Sequence, residues 1–306
     1  MFKLQSSFKF VLALLLGVVL SAMQPLVAQN YIDNLVTDLF SVKAPSLKAV
    51  GLPTISKADH LLLTRDYYAT AFSKQHGQAA WVMWALTPQM LDAQGKRAPF
   101  VTDTDLPWGY QVDKDDYKNS GYSRGHMMPA ADCKFSSVAS AQCAYMSNIC
   151  PQTEKLNAGP WNVLENRCRC WAKAEDTIYI VCGPVYRSSN PKRIGNTHKL
   201  DAPDAFFKVV LSLRKGHEKA IGFVMDNTDN PAKMQESVCT VADVERLTGL
   251  TFFTNLPADT ALKLKGKANL SAWRCPDKNR QNASQYNKGN RPADYQNRNK
   301  NYRTVH

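Results

Sequence analysis

Four short apolar runs limit the architectures open to this chain: residues 80–87 (AWVMWALT), 177–183 (TIYIVCG), 205–213 (AFFKVVLSL) and 220–225 (AIGFVM). Each is rich in β-branched or aromatic residues and bounded by polar or turn residues, the pattern of a buried strand. Two stretches read as helices. One is 157–174 (NAGPWNVLENRCRCWAKA), with Pro160 near its first turn. The other is 241–249 (VADVERLTG), where Gly249 is suited to end it. Strands at the centre with helices placed irregularly between them predict an α+β fold, a single layered domain around a central antiparallel sheet. Regular strand–helix alternation is missing, and so are G-x-G-x-x-G and G-x-x-x-x-G-K-[ST], which argues against a doubly wound nucleotide binder.

The ends of the chain read differently from its body. Residues 1–28 carry Lys3 and Lys9, no acid, an apolar run at 10–20 and the sequence PLVA at 25–28. This is the layout of a secretory signal peptide cut after Ala28. The apolar run is about half of what a bilayer span needs. The expectation is therefore a mature protein without a transmembrane segment, secreted or periplasmic. Residues 29–56 form a mixed lead-in, and 57–273 are dense enough for one substantial core. Residues 274–306 hold eight basic residues against Asp277 and Asp294 and almost no aliphatic ones, the composition of a disordered basic tail. Of the formal +12, the tail carries +6 and the first 28 residues +2, leaving +4 for the rest. Basic charge favours polyanions by counterion release, but here it sits mainly on the tail.

Eight cysteines, an even number, favour structural disulfides in an exported chain, with on the order of 100 connectivities open. A zinc site is disfavoured: there is no C-x-x-C, Cys168 and Cys170 stand too close for a knuckle, and H-E-x-x-H is absent.

Residues 120–132 read SGYSRGHMMPAAD, and two chemistries overlap in them. Gly121 to Gly125 fit the G-x-S-x-G turn of a serine hydrolase, whereas Arg124, Gly125 and His126 point to metal-assisted cleavage of nucleic acid. A nucleophile elbow needs a buried apolar strand before the serine and a helix after it. The residues before Ser123 (VDKDDYKNSGY) are too polar for such a strand, and Pro129 opposes an immediate helix. The reading therefore favours His126. Downstream, Asn157, Trp161, Glu165 and Arg169 recur every four residues, a spacing that drifts only about 40° per step round a helix. Taken alone, such a helix is accounted for by an N-cap asparagine, a core tryptophan and a solvated Glu165–Arg169 pair.

Read together, SGYSRGHMMPAAD and MSNICPQTEKLNAGPWNVLENRCRCWA (146–172) resemble the DNA/RNA non-specific endonuclease family, the sugar-non-specific nucleases that include endonuclease G. Segments resembling the family continue in order from about residue 59 to 257. The resemblance implies a ββα-metal active site acting on DNA and RNA with Mg²⁺ or another divalent cation and leaving 5′-phosphate ends. His126 takes the place of the general base, a role suited to imidazole chemistry. Asn157 takes that of the metal ligand, an amide oxygen suited to Mg²⁺. Glu165 matches the residue that holds metal-bound water, and Arg169 the one that offsets phosphate charge. Arg124 and Asn148 match positions lining the site, and Arg97 is a looser candidate for a phosphate contact. The family usually has Asp where this chain has Ser123, which opens a second reading: a weak or inactive homologue that only binds nucleic acid. Met127 and Met128 read as core residues and Asp132 as a support for the motif loop. His60, His76, His198, His217 and His306 read as structural or exposed.

Overall fold

The computed structural model describes residues 42–55, 59–92 and 95–276. The expected signal peptide and nearly all of the expected tail lie outside the described residues. In chain order the strands are β1 (Thr54–Ile55), β2 (His60–Thr64), β3 (Tyr68–Ser73), β4 (Gln78–Leu86), β5 (Ser123–His126), β6 (Ile149–Gln152) and β7 (Ile178–Val185). They continue with β8 (Arg193–Ile194), β9 (Leu200–Asp201), β10 (Ala205–Ser212), β11 (Lys219–Asp226), β12 (Val238–Cys239) and β13 (Leu250–Thr251).

Seven of these strands build one antiparallel sheet in the order β12-β11-β10-β7-β4-β3-β2. The four apolar runs of the sequence are β4, β7, β10 and β11, which lie side by side at its centre. β2, β3 and β12 extend it on either side and were not expected from the sequence. β2 is short and only partly buried, so its pattern is weaker. Register fixes which side chains share a face: Thr70 pairs with Val82, Val82 with Cys182, Cys182 with Lys208, and Lys208 with Phe223. Because side chains alternate along a strand, this row and its neighbours two residues away define one face, and Trp81, Met83, Phe207 and Val209 stand on the other.

The second face is almost wholly apolar. Trp81, Met83, Phe207, Val209 and Leu211 pack there with Val241 and Val244 of helix Val241–Thr248 and with Ala261 and Leu264 of helix Ala258–Lys265. Gly249 ends the first of these helices with a positive φ of 71°, as the sequence expects. Val50 and Leu52 join the same core, and β1 pairs with β13. The folded body thus takes in residues that the sequence places in the lead-in.

On the first face lies helix Asn162–Glu175, which buries Leu164, Cys168 and Trp171. Trp171 stacks on Phe223 with centroids 6.2 Å apart, and Trp161 meets Phe206 at 5.7 Å. Each tryptophan removes roughly 200 Å² from water, on the order of 5 kcal/mol before ordering entropy is set against it. Two large side chains thereby fix the helix on the sheet.

The cysteines depart from the expected set of bridges. One disulfide is formed among the described residues, Cys170–Cys275, tying the outer side of this helix to the end of the described chain. Cys133, Cys143, Cys150, Cys168 and Cys182 are buried free thiols, and Cys239 is half-buried and free. Small, weakly polar thiols suit packed interiors; their even number reflected core composition, not pairing. No helix among the described residues is long and apolar enough to cross a membrane.

Candidate active site

The Arg-Gly-His segment is itself a strand. β5 pairs antiparallel with β6, placing Ser123 opposite Gln152 and His126 opposite Ile149. Gly125 is required there: a Cβ at this position would lie 2.0 Å from Oε1 of Gln152. Directly after β6, Thr153 caps the next turn through its hydroxyl, which accepts from the Leu156 amide. The strand pair thus leads into a helix, with the histidine on its first strand, the asparagine at the start of that helix, and helix Ser137–Cys143 between the two strands in sequence.

That helix begins less regularly than the sequence suggests. Residues Asn157–Trp161 are kinked, with Gly159 at non-helical φ −95°, ψ −121° followed by Pro160, and the regular helix starts at Asn162. Proline has no N–H for the ladder, so the first turn opens. This leaves Asn157 half-buried, with its backbone N–H bonded to Thr153 and its carboxamide unbonded among the described residues.

His126 is half-buried, but its Nε2 is shut off from solvent and has no hydrogen-bond partner among the described residues. Burial, helped by the Arg97 guanidinium, pushes its pKa down to about 3. The ring is therefore neutral at neutral pH. Phe100 organises its surroundings: its ring centroid is 5.2 Å from that of His126, and the guanidinium carbons of Arg97 and Arg124 lie 5.0 and 4.8 Å from it. The structure thus brings His126, Arg97 and Arg124 together round one aromatic ring, with both arginines exposed. No pattern in the sequence singles out Phe100.

A second group gathers beneath the helix. Asp132, 1% exposed, accepts from the Trp84 indole at 3.2 Å and from Arg169 at 2.8 Å. Arg169 also donates to Asn166 at 3.0 Å, so its guanidinium is held in place. Burial pushes the Glu165 carboxyl up to about 7, with Asp132 adding to the rise and Lys208 and Arg169 opposing it. Lys208 is 1% exposed; its Nζ has no hydrogen-bond partner and lies 4.3 Å from the Trp161 ring and 5.1 Å from that of Trp84. The sequence reading missed this lysine, although a cation inside AFFKVVLSL at an inward-facing register is a readable signal.

Asn148 and Ser123 are occupied elsewhere. Asn148 is fully buried; its carboxamide donates to the carbonyls of Met128 and Cys143 and accepts from the Met128 amide at 2.9 Å. It therefore braces the segment after His126 and presents nothing to a substrate, which corrects its placement among the lining residues. Ser123 sits within β5, with no strand-to-helix elbow, and its hydroxyl donates to the Glu154 carboxylate in the turn before Asn157. An aspartate at this position would face that carboxylate with like charge. Met127 and Met128 are buried, as expected. His76 pairs with Asp201 at 2.8 Å, His198 pairs with Asp116 at 3.3 Å, and His217 is exposed.

A strand pair feeding an asparagine-bearing helix on one face of a seven-stranded antiparallel sheet defines the class, an α+β layered fold, and the family follows. Residues 45–259 match the DNA/RNA non-specific endonuclease family, and the chain belongs to it. It is similar to "Nuclease EXOG, mitochondrial" of Xenopus laevis, 34% identical over 64% of this chain and 59% of that protein. It is also similar to "Mitochondrial nuclease" of Saccharomyces cerevisiae, 31% identical over 74% of each. "Endonuclease G, mitochondrial" of Homo sapiens is 28% identical over 69% of this chain and 74% of that one. The chain spans about three fifths of the length of the Xenopus relative. The fold resembles that of EndoG in its solved complex with EndoGI, with a TM-score of 0.60 and 23% identity over 65% of this chain and 88% of that one. These relatives correct the expectation of a secreted or periplasmic protein, because the curated matches are mitochondrial nucleases. The cysteines had supported export, and with most of them free thiols that support falls away as well.

Proposed function

We propose that the protein is a metal-dependent endonuclease that hydrolyses phosphodiester bonds of DNA and RNA, with its active site between β5 and helix Asn162–Glu175. One observation carries this reading: a neutral, half-buried His126 flanked by two exposed arginines, on the strand pair that leads into Asn157. His126 is the general base. Its low pKa keeps the neutral form available, and an approaching phosphate, by opposing Arg97, raises its affinity for the water proton when the proton is taken. Arg97 and Arg124 contact phosphate oxygens through rigid donor forks, and Arg169, held by Asp132, offsets charge near Glu165.

The residues fit a hydrated magnesium ion. Asn157 offers an unbonded amide oxygen and Glu165 a carboxylate, and no cluster of three or more His, Cys, Asp or Glu side chains suited to metal binding occurs among the described residues. Mg²⁺ typically keeps several waters and takes few protein ligands, so Asn157 would hold the ion and Glu165 would accept from its bound water. When bound, the ion supplies charge relief at the scissile phosphate and at the departing 3′ oxygen. Contacts confined to phosphate read no base edge, which agrees with a substrate range covering both nucleic acids.

The test is digestion of plasmid DNA and of RNA with Mg²⁺, with EDTA, and by the His126→Ala variant. Cutting by the wild type, abolished by EDTA and lowered about 10²- to 10⁴-fold in the variant, is the expected result. Cutting that persists in EDTA, or that the variant retains in full, would overturn the mechanism. The weaker reading, binding without cleavage, predicts salt-sensitive retention of DNA and no strand scission with any divalent ion.

A further inference from the structure

An open groove of about 400 Å³ runs along the outer side of the active-site helix, lined by Lys134, Asn166, Arg169 and Lys173 over a floor of Leu91 and Ala131. Three cations line it and no acid does. The ammonium groups of Lys134 and Lys173 make no ion pair or hydrogen bond among the described residues. Lys173 stands in the last turn of the helix, where the helix dipole favours a cation. That accounts for Lys173 alone. Lys134 comes from another segment, just beyond the turn Ala130–Asp132, and is turned into the same groove.

Position in the fold gives the groove a direction. Glu165, Arg169 and Lys173 follow one another every four residues, steps of about 6 Å along the helix. The groove therefore starts one step beyond Glu165, at an arginine already fixed by Asp132 and Asn166. The guanidinium has more donors than those two bonds use. A space of this size admits one or two nucleotides of a single strand, and two unpaired lysines beside a guanidinium with spare donors recognise phosphate rather than bases.

We propose that this groove is a substrate subsite, in which Lys134, Arg169 and Lys173 hold the phosphodiester next to the scissile one on a single strand. The inference rests on the nuclease reading for its place in the reaction, and its test is chosen to be separable from that reading. Binding of a labelled 12-nucleotide single strand in EDTA is followed by fluorescence anisotropy for the wild type and the Lys134→Gln, Lys173→Gln double variant. The variant is expected to bind about 5- to 10-fold more weakly, with the slope of log affinity against log salt smaller by about 0.7, one phosphate's worth on a single strand. An abasic strand of equal length is expected to lose as much. Unchanged affinity and slope would overturn the subsite, and so would a loss confined to the strand that carries bases. In the Mg²⁺ assay, KM for the 12-mer is expected to rise while KM for a dinucleotide, which carries only the scissile phosphodiester, and kcat stay as in the wild type; an equal rise for both substrates would also overturn it. If the wild type cuts nothing, the nuclease reading fails, yet the binding comparison still decides whether the groove holds phosphate.

Discussion

The two faces of the central sheet are built on opposite terms. On one, Phe207 and Val209 of β10 join an apolar core under two helices. On the other, Lys208 between them joins Asp132, Glu165 and Arg169 beneath the active-site helix. Buried polar groups are costly unless they are paired, and Lys208 is left without a hydrogen bond. A chain selected only for stability would make both faces alike. The contrast teaches that the apolar face holds the fold together, while the charged face buries an ammonium without a hydrogen bond, a cost that the proposed site would account for.

The sharpest way to break this comparison is to change adjacent residues of β10. Val209→Ala is expected to cost about 1 to 2 kcal/mol of stability and to leave kcat unchanged. Lys208→Met is expected to leave the melting temperature level or raise it, since a buried ion gives way to an apolar side chain of similar length. Because Lys208 favours the charged form of Glu165, the same change should lower activity at pH 7 about fivefold, for a shift of roughly one pKa unit. Thermal melts beside initial rates decide the matter. Loss of stability without loss of rate at Lys208 would erase the distinction between the faces.

A smaller effect lies in the pH profile. With the Glu165 carboxyl near 7, the rate should fall below about pH 7 with unit slope, and Glu165→Gln should remove that limb. The stability signs are opposite for the two site residues. Glu165 has a raised pKa, so its contribution is fully present below about 4.5 and is lost as pH rises toward 7. His126 has a lowered one, so its contribution is present above 6.5 and is lost as pH falls toward 3. A rate profile whose acid limb survives in Glu165→Gln would move the titration to another group.

The sequence was most informative where one periodicity dominated. The four central strands were legible because both faces of each are largely buried and their runs are apolar apart from Lys208 in β10. β2 and β3 were less so, since polar residues interrupt them. In the site, Arg-Gly-His and the four-residue spacing of Trp161, Glu165 and Arg169 could be read, but the kink at Gly159 and Pro160 could not be told from an ordinary helix start. Asn148 was misplaced for a physical reason: an asparagine that braces backbone and one that faces substrate look the same in a string of letters. Phe100 was invisible, because its role arises from where the loop before Val101 comes to rest.

The central claim is that His126 and Asn157 serve one site in different capacities, and titration of activity with Mg²⁺ tests it most directly. Measured on a fixed nucleic-acid substrate, Asn157→Ala should need about tenfold or more Mg²⁺ for half-maximal rate, in the range by which ligand-sphere changes weaken metal affinity. His126→Ala should keep the wild-type Mg²⁺ midpoint while its plateau collapses. Should Asn157→Ala show an unaltered midpoint, or His126→Ala an unaltered plateau, the two residues would not share the site described here.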